Sequence, residues 1–182
     1  MKLKNIKIAT ILPYKENYSS NKASAASLWV SEFFKSSKYK KFNFIYGSTD
    51  QKDFLSKNYI NINLKSLNSK FKSSTSEYCD KLSKDIKLKS VDIIEIHNRP
   101  LIFFKLIKVL NKKFIFYFHN DPLSMKGSRS LKERLKILKN TEKIIFVSEW
   151  TRDRFFTDID KKLQAKTEIV YPSVNKQKKV KK

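Results

Sequence analysis

The stretch KFIFYFHNDPLSMKGSRSLKERLKILKNTEKIIFVS, residues 113 to 148, decides the fold. It opens on KFIFYFH, a run of strand length that is apolar on both faces, and closes on a second such run, KIIFVS at 143 to 148. Strands of this kind belong in the middle of a sheet that is covered on both sides. Between them, SLKERLKILKN follows helical spacing, with Leu131, Leu135 and Leu138 on one face and Ser130 with Glu133 as a capping box at its start. A strand, a helix and a strand in direct succession make parallel neighbours joined by a right-handed crossover.

The same alternation extends outward. IKIATIL (6 to 12), FNFIYG (42 to 47), YININL (59 to 64), VDIIEI (91 to 96) and TEIVYP (167 to 172) read as further strands. NKASAASLWVSEFFKSS carries a helical stripe of Ala26, Trp29, Val30 and Phe33, and SSTSEYCDKLSKDI offers Ser74 and Glu77 as a capping box before Tyr78, Leu82 and Ile86. The predicted fold class is therefore α/β: a Rossmann-like, doubly wound, mostly parallel sheet of about seven strands. Residues 49 to 58 fit a loop or a short helix equally. No internal repeat is visible. Residues 1 to 174 read as one domain, and the lysine-rich NKQKKVKK from Asn175 to Lys182 as a tail or the start of a linker.

A chain of 182 residues is long enough to bury a real core. Its formal net charge is +23, but 35 of the 40 basic residues are lysine and they are spread along the whole chain. Glycine is almost absent while lysine, asparagine, isoleucine and phenylalanine abound, the profile of an AT-rich bacterial genome. Solvated polar faces account for such lysines better than a nucleic-acid stripe does, so no nucleic-acid partner is expected. The lysines would still favour an anionic leaflet, which makes peripheral association with an inner membrane an expectation. Cys79 is the only cysteine, which excludes an intrachain disulfide and a cysteine-based metal site. The N-terminal MKLKNIKIATILP has a short apolar run broken by Lys7 and reads as a first strand rather than a signal peptide. No run reaches the ~18 apolar residues of a membrane span. The expected location is the cytoplasm.

The unusual residues gather where strands end. His97, Asn98 and Arg99 follow one strand; His119, Asn120 and Asp121, then Lys126 and Arg129, follow the next; Arg152 and Arg154 follow the third. In an open parallel sheet these carboxyl ends border the ligand crevice. All five arginines lie in the second half of a chain that otherwise uses lysine, which points to a need for the rigid guanidinium fork. Arg134 and Arg154 read as partners of neighbouring carboxylates; for Arg99, Arg129 and Arg152, ligand binding and local pairing stand equal. The two histidines are the chain's only ones, and each stands in an HN dipeptide ahead of a proline. His119 suits proton transfer or a hydrogen bond to a sugar hydroxyl, with Asp121 placed to orient it. A metal would need His97, His119 and Asp121 to converge, with no further ligand evident, so no metal and no cofactor is expected. Neither a P-loop nor G-x-G-x-x-G occurs, which argues against a dinucleotide.

ILP with its polar loop and helix, then VDIIEIHNRP, FIFYFHNDPLSMKGSRS, KIIFVSEWTRDRFF and EIVYPSVN, in that order, resemble the N-terminal domain of the GT-B glycosyltransferases of family 4, over residues 6 to 175. The resemblance implies a retaining, metal-independent transfer from a nucleotide-sugar donor to a cell-envelope glycan or lipid-linked acceptor, such as those of lipopolysaccharide. It implies that this domain holds the acceptor and that a C-terminal domain, beyond the end of this sequence, holds the donor. Without that domain, supplied in cis or as a separate chain, no activity is expected. By resemblance, His119 is the histidine beside the transferred sugar. The family's Gly-Gly pair in the first loop is replaced here by Ser19, Ser20, Asn21 and Lys22, which weakens donor-phosphate contact from that side. A second reading is a non-catalytic module that recognises an anionic glycan or lipid headgroup through Arg99, Lys126 and Arg129; a third is a basic nucleic-acid binder. The aromatics occupy predicted strands and apolar helix faces, which leaves few for base stacking.

Overall fold

In the computed structural model, which describes residues 6–64 and 73–172, seven strands form one sheet in the order β3-β2-β1-β4-β5-β6-β7. They are β1 (Ile8–Tyr14), β2 (Asn43–Ser48), β3 (Tyr59–Asn61), β4 (Ile93–His97), β5 (Lys113–Phe118), β6 (Lys143–Phe146) and β7 (Thr167–Ile169). Every neighbouring pair is parallel. The α/β, doubly wound architecture expected from the sequence is the one observed. The lysine-rich tail from Asn175 onward lies outside the described residues.

The helices are α1 (Ala25–Ser36), α2 (Ser74–Lys84), α3 (Ile86–Lys89), α4 (Pro100–Leu106), α5 (Leu131–Asn140) and α6 (Glu149–Phe155). Residues of α2 to α6 pack with Ala9, Ile11, Ile94, Ile96, Phe114, Phe116, Phe118, Ile144 and Phe146 in the larger core. Val30 of α1 packs with Leu12, Ile45, Tyr18 and Tyr59 in a second core on the other face. The two-residue period of the strands decides what each face carries. Thr10, Glu95, His97 and Tyr117 alternate with the apolar set, so a polar row runs across the face that α1 covers.

Serines start most of the helices: Ser24, Ser73, Ser130 and Ser148 each accept a backbone N–H from the first turn. Ser130 and Glu133 form the expected capping box. The cap of α2 is Ser73, one residue before the expected Ser74, with the Ser76 amide donating to it at 3.3 Å. Two apolar stripes need correction. Phe33 is exposed, because α1 approaches the sheet through the small side chains of Ala26, Ser27 and Ser31 together with Val30. On α5 it is Arg134, Ile137 and Leu138 that are buried, while Leu131 and Leu135 remain exposed. Residues 49 to 58 are mainly irregular; Phe54 makes an isolated antiparallel bridge to Ser19.

Gly127 fixes the loop between β5 and α5. Its φ of +96° is one that side chains rarely adopt, and a Cβ there would lie 3.0 Å from Pro100 Cβ and 3.3 Å from the Leu101 amide nitrogen. Gly127→Ala is expected to lower stability by about 2 kcal/mol, read as a fall in the urea midpoint. An unchanged midpoint would mean that the loop has room to spare against α4.

Candidate functional site

The strand order reverses between β1 and β4, and the carboxyl ends of the strands open there onto a cleft of about 590 Å³. The ends of β1, β4 and β5 supply most of its lining. Tyr14, Lys15, Glu16 and Asn17 come from the end of β1 and its loop, Asn98 and Arg99 follow β4, and His119 and Asn120 follow β5. Val147 and Pro172 close one side, and the first turns of α1, with Trp29, close the other. This is the crevice that doubly wound sheets offer to ligands.

Two devices hold the floor in place. Asn98 takes a left-handed backbone, φ 52°, immediately after β4. Its side-chain oxygen accepts the backbone N–H of His119 at 2.7 Å, which fastens the tips of β4 and β5 together. Beneath, His97 Nδ1 and His119 Nε2 share a hydrogen bond of 2.7 Å. The His97 ring is buried and stacks on Tyr117, with centroids 4.4 Å apart and planes at 6°. Trp29 stands edge-on to His119 at 5.2 Å.

Burial pushes the His97 imidazole well below its ordinary range, and the neighbouring His119 adds to this. Burial also pulls His119 down to about 4. Both rings are therefore neutral at pH 7. Deeper along the same face, Tyr117 donates to Glu95 at 3.2 Å, and Thr10 and Glu95 are hydrogen-bonded at 2.7 Å. Burial raises the Glu95 carboxyl, and these two hydrogen bonds oppose the rise only in part.

A second cleft, of about 710 Å³, opens on the other side of Arg99. Lys126 and Arg129 line it, joined by Lys105 and Lys108 of and beyond α4 and by the apolar Leu101, Phe104 and Met125. Arg129 turns part of its fork inward, donating through Nε and Nη2 to the Ser124 carbonyl at 3.2 and 3.0 Å. Arg99 borders both clefts, its guanidinium carbon 5.7 Å from the centre of the Tyr14 ring.

His97, Asn98, Arg99, His119 and Asn120 are thus brought together, with Lys126 and Arg129 close by. Several expectations are corrected. Asp121 does not orient His119: its carboxylate takes two hydrogen bonds from Arg154, at 3.1 and 3.2 Å, which hold it below the usual carboxylate range. Arg154 is paired as expected, but with a residue 33 positions away. Arg152 lines neither cleft, and its Nε lies 3.7 Å from Asp153. In the first loop, Ser20 and the Asn21 amide both donate to Asp53, and the buried Ser19 accepts from the Lys22 amide. Of that loop's four expected phosphate ligands, Lys22 alone lines the cleft. Arg134 is buried and serves main-chain carbonyls rather than a carboxylate. Trp29, which belongs to a helical apolar stripe in the sequence, lines the cleft, and Glu95 and Tyr117 join the site without a motif to announce them. Glu95, a charge inside an otherwise apolar strand, was the available signal.

Among the described residues, no group of three or more histidine, cysteine, aspartate or glutamate side chains is arranged to hold a metal ion. No described helix is long and apolar enough to cross a membrane.

No family model and no curated protein sequence matches the chain. Solved structures do. HepE from Anabaena, in complex with UDP and glucose, aligns with a TM-score of 0.58 at 11% identity, over 91% of this chain and 45% of that one. A glycosyltransferase from Rickettsia africae aligns with a TM-score of 0.63 at 17% identity, over 94% of this chain and 44% of that one. A sucrose-phosphate synthase structure from Thermosynechococcus elongatus gives 0.54 at 14% identity, over 91% and 90%. The chain spans less than half the length of the first two. At such identities the likeness concerns architecture alone: the seven-stranded, Rossmann-like layer found here is the fold of a GT-B half-domain.

Proposed function

We propose that the chain forms the acceptor-side half of a glycosyltransferase, of the family 4 type, that moves a sugar from a nucleotide-sugar donor to a cell-envelope glycan or lipid acceptor. The observation that carries this reading is the convergence of Asn98, Arg99, His119 and Asn120 on one cleft at the reversal of strand order. The fold shared with a glycosyltransferase, and with a protein bound to UDP and glucose, supports it. In this reading His119 contacts the transferred sugar, and Lys22 and Arg99 supply positive charge toward the diphosphate without a metal ion. The second cleft, with Lys126 and Arg129 above Leu101, Phe104 and Met125, receives an anionic, partly apolar acceptor. Reaction occurs at the inner face of the membrane, with configuration retained.

The test is reconstitution with a C-terminal donor domain. Transfer from a nucleotide sugar is expected for the assembled enzyme, insensitive to chelators, and absent for this half alone. His119→Ala should lower turnover about 10- to 100-fold, the equivalent of one or two lost hydrogen bonds. Robust transfer by the half domain, or unchanged turnover in the variant, would overturn the assignment.

The loop after β1 favours a second reading, a non-catalytic module for anionic glycans or lipid headgroups. Its hydroxyls and amides are spent on Asp53 rather than offered to donor phosphates. Glycan binding that survives His119→Ala, with no transfer in any assembly, would select this alternative.

A further inference from the structure

The imidazole pair beneath the cleft carries more than a position. A neutral imidazole holds one proton on one of its two nitrogens. When two neutral rings share a single hydrogen bond, the choice made by one ring dictates the choice made by the other. Two arrangements satisfy the 2.7 Å contact between His97 Nδ1 and His119 Nε2. In one, His97 donates from Nδ1, its own Nε2 is a bare lone pair, and His119 carries its proton on Nδ1. In the other, His119 donates from Nε2, its Nδ1 is a lone pair, and the His97 proton sits on Nε2.

The surroundings of His97 Nε2 separate the two. That atom is buried and has no hydrogen-bond partner. The nearby carboxylate is engaged elsewhere, with Tyr117 at one oxygen and Thr10 at the other. Tyr117 lies flat against the ring and Trp29 packs at its side, so the ring is held by aromatic faces. An N–H stranded in such a place is rarer in folded proteins than an acceptor lacking a donor. The first arrangement is thus the better one. His119 Nδ1 has no partner within the chain among the described residues, and its ring lines the cleft.

We propose that His97 is a positioning residue that fixes the tautomer of His119, so that His119 presents an Nδ1–H donor to the cleft and not a basic lone pair. The inference rests on the cleft being the sugar site and adds to it the polarity of the contact. The ligand atom facing His119 is an oxygen that accepts, such as a hydroxyl, a ring oxygen or a phosphoryl oxygen. His119 then binds and orients its ligand without removing a proton from it. The arrangement also opposes intrinsic preference, because a free neutral histidine favours the proton on Nε2, and this gives it a spectroscopic signature.

The experiment is nitrogen NMR of the 182-residue chain labelled with ¹⁵N-histidine at pH 7.5, with the variant His97→Phe. Phenylalanine keeps an aromatic face against Tyr117 and removes the donor. With only two histidines, four ring nitrogens are to be assigned, and two-bond couplings to the ring protons distinguish them in the wild type even without a folded variant. His119 protonated at Nδ1 in the wild type, and at Nε2 once His97 is replaced, supports the proposal. His119 protonated at Nε2 in the wild type, or unaltered by the substitution, overturns it. In the enzyme assembled with its donor domain, His97→Phe should lower kcat about tenfold, as for one misdirected hydrogen bond; unchanged kcat would overturn the positioning role. An assembled enzyme that shows the expected tautomers but transfers no sugar refutes the transferase reading alone and leaves the tautomer assignment standing.

Discussion

Stability is expected to fall steeply as the pH drops below about 6.5, driven by His97 and His119. Both rings are depressed in the folded state, so they contribute stability that is fully present above the unfolded value near 6.5 and is lost as the pH falls toward their folded values. In that window the unfolded chain binds protons that the folded chain refuses. For His119, with a folded value of about 4, the loss over the whole interval is about 3 kcal/mol. His97 acts in the same direction. Glu95 opposes them: its raised folded value favours the native state as the pH falls. Asp121, held low by Arg154, begins to matter only below the ordinary carboxylate range. Urea midpoints measured between pH 7.5 and 4.5 should therefore drop sharply for the wild type and much less for the double variant His97→Phe, His119→Phe. Parallel curves for the two proteins would show that the imidazoles are not buried as described.

Arg134→Ala is expected to lose about 4 kcal/mol, from stranded carbonyls and a cavity together. The side chain is 2% exposed, and it donates from Nη1 to the Arg129 carbonyl and from Nη2 to the Thr157 carbonyl, each at 2.7 Å. A weaker contact of 3.4 Å reaches the Ser128 carbonyl. These acceptors sit on the loop before α5 and on the turn after α6, so one planar fork joins two segments that no backbone ladder connects. Arg134→Lys keeps the charge but not the fork, and should recover about half of the loss. A fall in the urea midpoint corresponding to less than about 1 kcal/mol for Arg134→Ala would show that water or neighbouring groups replace the fork.

The sheet was legible because its evidence is local and redundant. Most of the central strands are short runs dominated by apolar residues, each is followed by a helical stretch or a turn, and Ser130 with Glu133 marks a helix start within four residues. What escaped depends on partners that are distant in sequence. Asp121 meets Arg154 across 33 residues, and nothing near either residue announces the pair. Periodicity located the inner side of α5 only roughly, because Arg134 outcompetes Leu135 where main-chain carbonyls face inward. The placement of His97 beside His119 followed from adjacent strands ending alike. Their shared hydrogen bond depended on the register that sets His97 opposite Tyr117, a tertiary detail.

Arg99 stands on the wall between the two clefts, and this has a consequence for how they fill. A single guanidinium cannot swing fully toward an anion on each side at once. Occupancy of one cleft that draws it over weakens the other by some factor, and thermodynamic reciprocity requires the same factor in the reverse direction. Anions in the two clefts would then be antagonists in binding, each loosening the hold on the other.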